Sequence, residues 1–302
     1  MLVRALLLLL KNLITHYSMQ YLYLFLFLTM MNSCSEADPS KTETPESELS
    51  ETATCPGTIE DANPKGNFDV LIWADEFNED GSPCTANWVY EVGNNNGWGN
   101  GESQYYKRND EDNVIVEDGA LKITAIKEAY NGYSYTSTRM TTQTKFNFKY
   151  GKIDVRAKLP TGAGTWPAIW MLGSNFSQVG WPNCGEIDIM EHKGSQLGTV
   201  HSSLHNGTSY GNTIHTKKIT IENADSEFHN YTALWNNEKI EFSIDGLLFY
   251  TYQPEVKNSA SWPYDKDFFL ILNIAMGGGF GGSIDPNFTK SSMEIDYIRI
   301  YQ

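Results

Sequence analysis

KIDVRAKL, residues 152–159, decides the fold class. Ile153, Val155, Ala157 and Leu159 fall on one face of an extended chain, and Lys152, Asp154, Arg156 and Lys158 on the other. Side chains of a strand alternate, so a strict period of two marks a strand with one face buried and one face wet. KIEFSIDG, residues 239–246, repeats the pattern with Ile240, Phe242 and Ile244. Asp118-Gly119 and Asp245-Gly246 each join two such runs, and Asp-Gly suits the left-handed backbone of a two-residue hairpin turn. MEIDYIRIYQ closes the chain as another strand. No long helix-period stretch follows residue 33, and no internal repeat is present. The expectation is an all-β protein, a two-sheet antiparallel β-sandwich.

The chain has 302 residues and a formal net charge of −15, with 40% hydrophobic and 13% aromatic residues, among them 8 Trp and 17 Tyr. Phosphate backbones need a basic face, so nucleic acid is an unsuitable partner. So many amphipathic rings can line a ligand groove as well as fill a core.

Residues 1–34 read as a targeting segment. Arg4 and Lys11 punctuate two apolar runs, and the second, YLYLFLFLTMM, is short for a span. It ends in MNSCSE, which resembles a lipoprotein cleavage site with Cys34 as the lipidated residue, although Met31 and Asn32 are unusual there. An ordinary secretory signal is the alternative, and Met1 or Met19 can be the start. Export to the outer membrane or cell surface is expected, with secretion as the alternative. Residues 35–62 form an acidic tether: 35–52 alone hold six acids and one base, with almost no large apolar side chain. Residues 63–302 form the folded domain, expected to be monomeric. Cys55 and Cys84 are available to pair in an exported protein. Cys184 stands alone, and no Cys/His cluster suggests zinc.

GEIDIMEH, residues 185–192, carries the chemistry. Glu186 and Asp188 share a face of a strand. Glu191, five residues from Glu186, falls on the opposite face unless a β-bulge at Ile189-Met190 inserts one extra residue. With the bulge, three carboxyls form one row. Packed carboxyls repel and push their pKa values apart, which suits one ionised nucleophile beside one protonated acid. Glu186 and Glu191 sit about 13 Å apart along a regular strand, so side chains must lean together or the strand must curve. A solvated acidic face and a calcium site are the other readings of the spacing. Trp166 and Trp170 alternate onto one face with Ala168, as sugar-stacking platforms or as core. His201 and His205 share a face of GTVHSSLH, the strand that follows.

The segments LPTGAGTWPAIWMLG and WPNCGEIDIMEH, with GWGNGESQYY, YTSTRM and the terminal DYIRIYQ, resemble glycoside hydrolase family 16 in its laminarinase-like branch. The resemblance spans about residues 70–302. It implies a β-jelly roll with a concave substrate cleft and retaining hydrolysis of internal β-glycosidic bonds, with no catalytic cofactor. Carried over by motif, Glu186 is the nucleophile, Asp188 its helper and Glu191 the general acid/base. The spacing with two residues before the last Glu is similar to β-1,3-glucanases, agarases and carrageenases. The resemblance also implies Arg139 in the cleft, Trp98, Asn100 and Glu102 on its rim, and His201 as the histidine beside the acid/base. Phe280 stands where many β-1,3-glucanases carry Trp. A structural calcium held by Glu76, the Gly119 carbonyl and Asp296 is implied as well. The expected partner is a β-1,3-glucan. Mixed-linkage glucan, agar-type galactan and a non-catalytic glycan-binding lipoprotein are the alternatives.

Overall fold

The computed structural model describes residues 68–302. The expected leader with Cys34, the tether and Cys55 lie outside the described residues. Cys84 is disulfide-bonded, and Cys184, the other described cysteine, is free and buried.

The described residues form strands in two sheets. The first third of this region holds β1 (Leu71–Asp75), β2 (Val89–Tyr90), β3 (Gln104–Tyr106), β4 (Val114–Glu117), β5 (Ala120–Ile126), β6 (Tyr135–Ser137) and β7 (Arg139–Thr141). The middle holds β8 (Gly151–Lys158), β9 (Thr165–Gly173), β10 (Glu186–His192), β11 (Thr199–His205) and β12 (Thr216–Thr220). The last part holds β13 (His229–Trp235), β14 (Ile240–Ile244), β15 (Leu247–Tyr252), β16 (Phe268–Met276) and β17 (Lys290–Tyr301). One sheet runs β15-β14-β13-β8-β17-β5-β6-β3, with β1 on β17 and β4 on β5; the other runs β12-β11-β10-β9-β16-β7-β2. All pairs but the short β3–β6 ladder are antiparallel. The architecture is the expected two-sheet sandwich of jelly-roll type.

β8 keeps the alternation read from KIDVRAKL: Ile153, Val155 and Ala157 are fully buried between the sheets. They pack with Ile298 and Ile300 of β17 and, across the core, with Ile187 and Met190 of β10. Asp118-Gly119 and Asp245-Gly246 form the β4–β5 and β14–β15 turns with φ of 56° and 73°, and 49° and 79°. β16 does not alternate, and all nine residues are buried. It lies inside its sheet between β9 and β7, and its Phe269 and Ile271 pack with Leu172 and Cys184 in a second cluster.

Candidate active site

β10 carries the row. Against β11, Asp188 pairs with Ser203 and Glu191 with His201, so three steps on one strand match two on the other. Against β9, Asp188 pairs with Trp170 and Met190 with Ile169, two steps against one. One extra residue is inserted after Asp188, the expected bulge. Its effect on side chains is direct. Ile189 and Met190 are both buried in the core, and Glu191 returns to the face of Glu186 and Asp188. The Ile189 carbonyl, removed from the ladder by the bulge, accepts Ser202 Oγ–H at 2.7 Å. A buried carbonyl without a partner would cost about 1–3 kcal/mol, so this bond holds the bulge in place.

Each acid has its own neighbours. Glu191 accepts the Trp166 indole N–H at 3.0 Å on Oε1 and the Ser203 hydroxyl at 3.3 Å on Oε2. Ser203 is the cross-strand partner of Asp188, so the Glu191 carboxyl leans back towards the centre of the row. That shortens the separation a regular strand would leave. At the other end, His205 Nε2 lies 3.1 Å from Asp188 Oδ2 and 3.6 Å from Glu186 Oε1. Burial pushes Glu186 up to about 8, with Asp188 and Glu191 adding to the rise and His205 and Arg139 opposing it. Glu191 is pushed up to about 8 by burial and then Asp188, against His205, Trp166 and Ser203. Burial holds Asp188 well above the ordinary carboxylate range. The three cannot all ionise, and the row titrates as a unit. His205 and then the Arg139 guanidinium lower Glu186, and His205 with the Trp166 and Ser203 donors lowers Glu191.

The expected site residues surround this row with some corrections. Trp166, Ala168 and Trp170 share the outer face as predicted, but both indole N–H groups are engaged, Trp170 with Asn273 Oδ1 at 2.8 Å. Arg139 is stacked between Trp98 and Trp170, 4.4 and 4.8 Å from their ring centres, and its Nε donates to Glu91. Phe280, on a single helical turn at Gly278–Gly281, packs on Trp166 and His201 at 5.1 and 5.2 Å, with Lys193 over its ring.

His201, expected beside the acid/base, lies opposite Glu191 in the β10–β11 ladder. It packs on Phe280, and its ring is held neutral by burial and then by Lys193 and Lys218. The histidine that reaches carboxyls is His205. Glu102 is corrected: it is 7% exposed and takes donors from Asn100, Gln104 and Tyr106, so it ties the Gly-rich loop to the sheet. Asn100 is exposed but is spent on Glu102.

The calcium residues meet in the topology, because β1 and β5 abut on the same flank of β17, where Asp296 sits. They do not fit a bound cation as they stand. Glu76 makes a two-pronged pair with Arg299 at 2.7 and 2.8 Å, and Asp296 is paired with Arg156.

Four contributors escaped the sequence reading. Ser203 was legible in principle, since it shares the period-two face of His201 and His205. Asn273 is legible in principle as the one polar residue in FFLILNIAM. Trp181, 41% exposed, stands 5.9 Å from His205 and 5.3 Å from Tyr210, extending the aromatic lining past the Glu186 end. Glu91 had no sequence signal.

A sandwich with a row of buried, closely set carboxyls between aromatic walls defines a glycoside hydrolase. The profile of "Glycosyl hydrolases family 16" matches residues 101–299, and the chain belongs to that family, in its laminarinase-like branch. It is 40% identical to a "Beta-glucanase" of Rhodothermus marinus over 244 residues, 77% of this chain and 85% of the relative. The structure of a laminarinase from Flavobacterium sp. UMI-01 superposes with a TM-score of 0.73 at 47% identity, covering 77% of this chain and 100% of that one. SCLam, described as a non-specific endo-beta-1,3(4)-glucanase, superposes with a TM-score of 0.72 at 38% identity, over 82% of this chain and 96% of its own.

Proposed function

We propose that this chain is a retaining endo-β-1,3-glucanase that acts on laminarin-like polysaccharide. The bulged row carries the reading: it presents two glutamates of unlike environment with an aspartate between them. Glu186 attacks the anomeric carbon while Glu191 protonates the departing oxygen, which breaks the glycosidic bond and forms a glycosyl ester. Glu191, now a carboxylate, takes a proton from water, whose oxygen displaces Glu186. Asp188 stays protonated beside Glu186, and the Trp-rich walls stack on the apolar faces of neutral sugars.

Reducing-sugar release by residues 35–302 on laminarin, curdlan, mixed-linkage glucan and agarose tests the substrate. Release is expected from laminarin first. Release from agarose alone would discard the glucan and keep the mechanism. Tight laminarin binding without release would turn the reading to a binding protein. Activity on mixed-linkage glucan is the second reading, favoured by the likeness to an enzyme described as acting on both linkage types.

The export signal read in residues 1–34 supports an anchored enzyme, lipidated at Cys34. The mass of the N-terminal peptide from the membrane fraction is the check: a diacylglyceryl-cysteine is expected, and an unmodified peptide starting elsewhere would leave ordinary secretion.

A further inference from the structure

Strand register puts Arg139, Asn273, Ala168, Glu191, His201 and Lys218 in one line across β7, β16, β9, β10, β11 and β12. Residues paired across neighbouring strands share a face, so the line lies on the face of the carboxyl row and crosses it at Glu191. Its two halves differ in charge. On the β7 side the cation is Arg139, which is paired with Glu91 and stacked between Trp98 and Trp170. On the other side Lys193 follows Glu191 by two residues, and the edge strand β12 carries Lys218.

Lys193 Nζ lies 4.2 Å from the centre of the Phe280 ring, and His201 lies edge-on to the same ring at 5.2 Å. Phe280 packs on Trp166, whose indole N–H is on Glu191. The ammonium and the imidazole are thus gathered beside the acid, round one aromatic pair. Lys218 stands across from His201, and both lysines act on its ring. Lys122, Lys152, Lys158 and Lys239 each hold a carboxylate at 2.8–2.9 Å. Among the described residues Lys193 and Lys218 make no such pair. Nε2 of His201 is buried without a hydrogen-bond partner. The largest influences on Glu191 are burial, Asp188, His205, Trp166 and Ser203, and the two lysines are not among them. In a chain of net charge −15, two unpaired ammoniums beside an unpartnered buried nitrogen form a local anion trap. A chain of plain glucose carries no anion to fill it.

We propose that the half of the cleft over β11 and β12 recognises an anionic substituent on the glycan, a carboxylate or a sulfate ester, held by Lys193 and Lys218 with the His201 imidazole as third donor. The proposal deepens the glycan-hydrolase reading of the cleft and rests on it. β12 lies two strands from β10, about 10 Å away at ~4.8 Å per strand. The anion therefore sits to one side of the cleavage point, on a neighbouring sugar, and leaves the reacting carbon to Glu186 and Glu191.

Calorimetric titration of the full-length Glu186→Gln protein reads binding without turnover. The ligands are laminari-oligosaccharides of one length, either plain, 6-O-sulfated on one sugar, or carrying one glucuronate. At low salt the anionic forms are expected to bind about tenfold tighter than the plain one. The advantage is expected to vanish in 1 M NaCl, where the Debye length is about 3 Å. Adding Lys193→Gln and Lys218→Gln to the same protein is expected to remove it as well, with the plain ligand as the reference within each protein. An advantage for one anion alone keeps the proposal and names the group. No advantage for either anion, an advantage indifferent to salt, or one intact in the double glutamine variant would overturn it. Inorganic sulfate at the ligand's concentration is expected to leave the advantage unchanged; erasing it would mark a free-anion site instead. The same comparison on agar-type oligosaccharides separates the two readings. If plain galactan binds and plain laminari-oligosaccharide does not, the glucanase reading fails, and the ratio of sulfated to plain galactan still decides the proposal. Should the glutamine variant fail to fold, the salt series on the parent protein decides.

Discussion

Glu186→Gln is expected to lower kcat on laminarin by at least about 10⁴-fold, equivalent to about 5.5 kcal/mol of transition-state stabilisation. The amide has the shape of the carboxylate and can keep its place beside His205 and Arg139. It lacks the charge that attacks the anomeric carbon, so the covalent half of the reaction is lost. Loss of rate does not by itself name the role, and stereochemistry does. In Glu186→Ala, added azide can fill the space of the missing carboxylate and attack from that side, giving the α-glycosyl azide. In Glu191→Ala, the ester still forms, and azide displaces it from the opposite side, giving the β-glycosyl azide. The anomeric coupling in the proton spectrum distinguishes the two. A β-azide from the Glu186 variant would reverse the assignment of the two glutamates. A Glu186→Gln protein with more than a hundredth of the wild-type rate would remove Glu186 from the chemistry.

Glu191→Gln is expected to lower kcat on laminarin by about 10²–10⁴-fold, the usual range for loss of a general acid. The loss should depend on the leaving group. A sugar hydroxyl leaves poorly without a proton, whereas a nitrophenolate leaves alone. With an aryl laminaribioside, the first step should therefore survive, while the second, lacking its base, stalls and gives a burst of nitrophenol. The pH profile supplies an independent sign. Glu191 must be protonated to act, and burial together with Asp188 pushes it up to about 8. Wild-type activity should fall as pH rises through that value, while Glu186, also pushed up to about 8, must lose its proton to attack, so the two limbs of the profile crowd together there. The variant has no proton to lose there, so its profile should lack the alkaline limb. An unchanged limb in Glu191→Gln would assign the limb, and the acid, to another group.

β8, β14 and β17 are legible in the sequence because each has one face in the core and one towards water, which writes period two into the chain. β16 was not, because a strand buried on both faces has no alternation to read. The bulge was legible from arithmetic: an odd separation between Glu186 and Glu191 cannot share a face without it. The Arg139 stack was not legible as a contact. Trp98, Arg139 and Trp170 are brought together by a loop and by the order β9-β16-β7, which no local pattern encodes. Glu102 looked like a rim residue because its Gly-rich loop is polar, yet its side chain turns inward to three donors.

The histidines show the limit most clearly. Their spacing in GTVHSSLH puts His201 and His205 on one face and says nothing more. His205 becomes the partner of the carboxyls because the chain reverses after it and returns the Gly211 N–H to its ring. By itself the sequence determined the strands, the sandwich and the row of three acids, since these follow from side-chain period along a short stretch. Only the tertiary structure decided the shifts of the three carboxyls and the surroundings of each. Those depend on burial and on groups such as Arg139, Trp166 and His205, which lie far along the chain and meet the row only through the sheet.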